Sequence, residues 1–122
     1  MAKVKNEPSV EHIAYFFERV EYYQSLLNLK DWRIENSGRF ANKGCLADVA
    51  IFVEDRLAVV SIGKEFGPMP INDKTLGETA LHEVLHVFLK NLVDSAASRD
   101  PAALDSAEHS IVVVLEKLLG GL

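Results

Sequence analysis

A single cysteine, Cys45, leaves the chain without an intrachain disulfide framework and fits a reducing compartment. No block of lysine and arginine is present on which a nucleic-acid footprint could be built, and the formal net charge of −5 works against a polyanionic partner. The opening stretch MAKVKNEPSVEH has lysines but no apolar segment, so it does not read as a secretory signal. No apolar run approaches the length of a membrane span. Repeats, low-complexity tracts and interdomain linkers are absent as well. What is present is a chain of 122 residues, 48% hydrophobic and 25% charged, with enough apolar material for one core. The expectation is one soluble, cytoplasmic domain over residues 1–122, with residues 1–8 as a flexible tail ended by Pro8. Its oligomeric state stays open.

Periodicity divides the chain into six elements. Ser9 is a candidate N-cap with Glu11 in the first turn. Ile13, Phe16, Phe17, Val20, Tyr23, Leu26 and Leu27 then recur at helical spacing over residues 10–29. DWRIEN, residues 31–36, alternates Trp32 and Ile34 with charged neighbours and reads as a short strand. CLADVAIFV and LAVVSI have high strand propensity and are separated by EDR, which predicts a hairpin. After Gly63 the glycines and prolines of GKEFGPMPINDKT exclude extended regular structure. A second helix is expected over residues 76–92. Its candidate caps are Asn72, Asp73 and Thr75, the last with Glu78 in capping-box position. DSAASRDPAA reads as a polar connector, followed by a final helix from Pro101 or Ala102 to Leu119. Asp100 is its candidate cap, and Gly120 and Gly121 close it.

The second helix carries TALHEVLHVF. His82 and His86, four residues apart, share one helical face and are close enough together to bind one zinc ion. Glu83 lies beside them, where it can orient a metal-bound water and accept its proton. The bland alternative is an amphipathic helix that carries two imidazoles by coincidence. Against it, a glutamate and two histidines among Leu, Val and Phe are costly to bury unless something satisfies them. A catalytic zinc needs a third protein ligand. On the last helix, Leu104, Ala107, Ile111 and Leu115 define one apolar phase; Glu108 falls on it and His109 lies beside it. Glu108 is the preferred third ligand. His109 is its competitor, or a group that binds a polarised substrate oxygen. Asp105 could orient a histidine.

With HEVLH on a helix and a glutamate on a later helix, the chain resembles the zincin metallopeptidases, specifically the small gluzincin-like group. It also looks like short metallopeptidase-like proteins encoded in phages and prophages. The resemblance implies an α+β, minimal zincin-like fold: an N-terminal helix, a short three-stranded meander, an HExxH active-site helix and a C-terminal glutamate helix. It implies zinc held by His82, His86 and Glu108, with Glu83 as general base. The residues after His86, VFLKNLVD, exclude the longer three-histidine pattern, and Glu108 lacks the NExxSD-type surroundings of the large gluzincins.

The function expected on this basis is zinc-dependent peptide-bond hydrolysis, with a peptide or protein substrate and no nucleic-acid or membrane partner. Residues 57–62 are expected to be the edge strand on which an extended peptide aligns. Tyr15, Tyr22, Tyr23 and His109 are all candidates for oxyanion stabilisation, and EFGPMPIND is either a lip beside the site or a plain connection. Tyr22, Tyr23 and Trp32 read first as packing residues, and Cys45 as a small buried residue at a strand start. The rival reading keeps the zinc as a clamp between the last two helices of a catalytically inactive binding or regulatory module.

Overall fold

Ser9 starts the first helix, α1 (Val10–Leu26), through a reciprocal pair of bonds. Its hydroxyl accepts the His12 amide at 3.2 Å, and His12 Nδ1 accepts the Ser9 amide at 2.9 Å, which satisfies two otherwise unpaired donors. The helix ends on Asn28, whose φ of 60° lies in the left-handed region. There the Asn28 amide bonds to the Ser25 carbonyl and the Leu29 amide to the Gln24 carbonyl. This is a Schellman motif with asparagine in the usual glycine position.

These features belong to a computed structural model that describes residues 6–97 and 101–120. Asp100, Gly121 and most of the expected tail therefore lie outside the described residues.

Three strands follow: β1 (Arg33–Asn36), β2 (Ala47–Phe52) and β3 (Leu57–Ile62). β2 and β3 form the antiparallel hairpin, with Val49 opposite Val60. β1, however, pairs in parallel with β3, with Ile34 opposite Ala58, so the sheet order is β1-β3-β2. The expected meander is corrected on this point. After β1 the chain stays beside β3, with the Ser37 amide bonded to the Val60 carbonyl and the Ala41 amide to the Ile62 carbonyl. It then crosses the end of β3 at Gly63 and returns as β2 on the opposite side. A β-carbon on Gly63 would collide with the carbonyl oxygens of Cys45 and Leu46, so the crossing needs glycine there.

Asn72 caps α2 (Asp73–Ala97): its Oδ1 accepts the Thr75 amide at 2.9 Å, and Thr75 Oγ1 accepts the Asn72 amide at 3.1 Å. The helix is longer than the apolar pattern implied, because it takes in Asp94–Ala97, expected as connector. α3 (Pro101–Gly120) packs back against it.

The core lies between α2 and its neighbours. Leu76, Ala80, Val84 and Val87 form the buried face of α2 and share one core cluster with Phe16 and Val20 of α1 and the sheet residues Ala58, Val60 and Ile62. Trp32 and Phe66 complete it, and Val114 is buried on α3. Phe66 also pins the 63–72 segment, and its amide bonds to the Asn6 carbonyl. Cys45, expected to be buried, is exposed in the crossing segment.

Candidate functional site

The quoted helical stretch meets the free side of β2. Between them runs an open groove of about 340 Å³, lined by Ala47, Asp48, Val49, Ile51, His82, Glu83 and His86. The four-residue spacing brings the two imidazoles together at its rim. Their Nε2 atoms are 3.1 Å apart and the rings cross at 84°. One ring then donates and the other accepts.

Glu83 behaves differently from its exposed neighbours. It points inward and is only 5% exposed. Burial raises its pKa above the usual carboxylate value; His82 and His86 oppose that shift, and Asp48 adds to it. Asp48 itself is tied down, since its Oδ2 accepts the Asn42 amide at 2.9 Å.

The remaining predicted residues do not join this group. Glu108 and His109 are exposed on α3, and neither lines the groove. The inward side of α3 is marked by buried Val114 with half-buried Ser110 and Ile111, whereas Leu104, on the expected apolar phase, is 40% exposed. Glu108 is exposed and is not grouped with His82 and His86. Among the described residues, no group of three or more His, Cys, Asp or Glu side chains is placed to hold a metal ion.

This finding overturns several expectations together. The resemblance to the gluzincins does not extend to a metal centre, and zinc held by His82, His86 and Glu108 is not supported. Peptide hydrolysis through a zinc-bound water loses its basis, and so does a zinc clamp between α2 and α3. Among the described residues the fold is α+β with three helices and a mixed three-stranded sheet, without the catalytic centre that a zincin-like label implies. The tyrosines do not line the groove either. Tyr23 instead accepts a bond from Arg19 at 3.3 Å, and the Arg19 guanidinium lies over the Tyr22 ring.

The edge strand also changes place. β3, expected at the edge, is central, and β2 is the edge that borders the groove. The run LAVVSI, apolar except for Ser61, was the signal for this, since a strand paired on both sides tends to lack polar alternation. The Gly63 amide bonds to the Leu46 carbonyl, so Leu46 faces inward to β3. Antiparallel alternation then turns the backbone groups of Ala47, Val49 and Ile51 toward the open side. All of these residues line the groove. Sequence reasoning missed them because it looked for polar side chains, whereas their contribution is backbone.

No family model, curated protein or solved structure matches the chain. No helix among the described residues is long and apolar enough to cross a membrane.

Proposed function

We propose that the chain is a peptide-binding module that takes an extended segment of a partner protein onto β2, with no metal required. The observation that carries this reading is the row of outward N–H and C=O groups of Ala47, Val49 and Ile51 along the groove. An edge of this kind pairs with an added strand, whose backbone supplies affinity while alternate side chains supply specificity. Alternate side chains of the added strand face α2, where His82 and His86 offer a donor and an acceptor. Asp48 and Glu83 are the carboxylates of the groove, and they favour a segment with lysine or arginine.

The test is a panel of extended peptides of varied charge, followed by amide chemical shifts. Basic peptides should move the Ala47, Val49 and Ile51 amides first, and N-methylation of alternate peptide bonds should remove binding. Val49→Pro should also abolish it, since the Val49 N–H faces away from β3 and its loss spares the hairpin. Unchanged affinity for N-methylated peptides would refute strand addition. Concentration-dependent dimerisation that occupies the same amides would refute the partner segment and assign the edge to a second copy of this chain.

A further inference from the structure

The structure has a second cavity, away from the groove. It has a volume of about 390 Å³ and lies where the turn after α1, the β2–β3 turn, α2 and α3 meet. Lys30, Asp31, Trp32, Arg56, Ser106 and Ser110 all line it. Trp32 is 3% exposed, and its indole Nε1 has no hydrogen-bond partner among the described residues. The Nε1 atom has almost no accessible surface, so the indole forms part of the cavity wall and reports on what fills the cavity.

The charges and hydroxyls around it specify the ligand. Lys30 and Arg56 are cationic, and Asp31 is the carboxylate paired with Arg56. Arg56 sits 3.6 Å from Asp31 and 5.7 Å from the centre of the Trp32 ring, so its guanidinium is held at the cavity. Ser110 donates to the Ser106 carbonyl at 3.1 Å, which leaves the Ser106 hydroxyl as the donor from α3. Donors thus come from the turn after α1, from the β2–β3 turn and from α3. Donors arriving from separate elements suit a tetrahedral anion better than a planar carboxylate, which is best met by a single fork.

We propose that this cavity binds a small phosphate-bearing ligand through Lys30, Arg56 and Ser106, with Trp32 in its wall. The site is independent of the peptide groove, and its failure would leave that reading untouched.

Trp32 is the only tryptophan of the chain, so its indole N–H gives one resolved signal and its fluorescence one emitter. The experiment titrates the whole protein with inorganic phosphate, with acetate and chloride arms at matched ionic strength. Phosphate should shift the indole N–H saturably and acetate should not. The exposed double variant Lys30→Ala, Ser106→Ala should weaken phosphate binding by about tenfold or more, as loss of charge-assisted bonds implies. The proposal is overturned by no saturable shift up to about 50 mM phosphate, a concentration that covers weak binding. An equal response to acetate or chloride, or undiminished binding in the double variant, would overturn it as well.

Discussion

The Gly63 amide donates to the Leu46 carbonyl at 2.7 Å, one residue before β2 begins. This bond sets the phase of the hairpin, and therefore which backbone groups of β2 face the groove. It also brings the two segments so close that no side chain fits at position 63. Gly63→Ala should therefore destabilise the protein by about 1–3 kcal/mol, the usual cost of overpacking. Urea unfolding measures this directly. A loss below about 0.5 kcal/mol, the range of a neutral surface change, would show that the crossing can relax.

Glu83 gives a pH dependence with a definite sign. Burial raises its folded-state pKa above the unfolded value, so the folded protein holds the proton more tightly. Its contribution is most favourable below the ordinary carboxyl value of 4.5 and is lost as pH rises through the higher folded value. Glu83→Gln removes that dependence while keeping the shape. The variant should gain stability over the native protein as pH rises from 4.5 toward neutrality. Paired urea melts at several pH values would show the two curves diverging upward; parallel curves would mean that the buried carboxyl is not strained.

The left-handed residue at the end of α1 allows a comparison of two substitutions. Asn28 tolerates a φ of 60° because its short amide can bond locally. Asn28→Ala should cost about 1 kcal/mol, and Asn28→Gly should stay within about 0.5 kcal/mol of the native protein. Thermal melts of both variants decide it. Equal losses would assign the cost to the asparagine side chain and not to the backbone.

Several of these features were legible in the sequence, and their physical origin explains which. Ser9 announced α1 because a capping hydroxyl precedes an apolar period. EDR announced the β2–β3 hairpin because a short polar break between β-branched runs leaves little else. The side-by-side placement of His82 and His86 followed from helical spacing alone. By contrast, the pairing of β1 depends on where residues 37–46 run, and no local preference encodes that path. Glu108 was misplaced for a related reason. Leu104, Ile111, Val112, Val113 and Val114 spread around much of α3, so the sequence admits more than one inward phase. Packing against α2 selects among them, and that choice is tertiary.

That selection can be measured residue by residue on α3. Val114 is 2% exposed, and truncation there removes two buried carbons. Val114→Ala should cost about 1.5 kcal/mol or somewhat more, at about 0.8 kcal/mol per buried methylene plus a cavity contribution. Glu108→Ala and His109→Ala change exposed side chains outside the groove and should each stay within about 0.5 kcal/mol. Peptide affinity should be unaffected by either, because neither side chain reaches β2. Chemical denaturation and one peptide titration per variant suffice. A large loss at Glu108 with little at Val114 would overturn this inward face of α3.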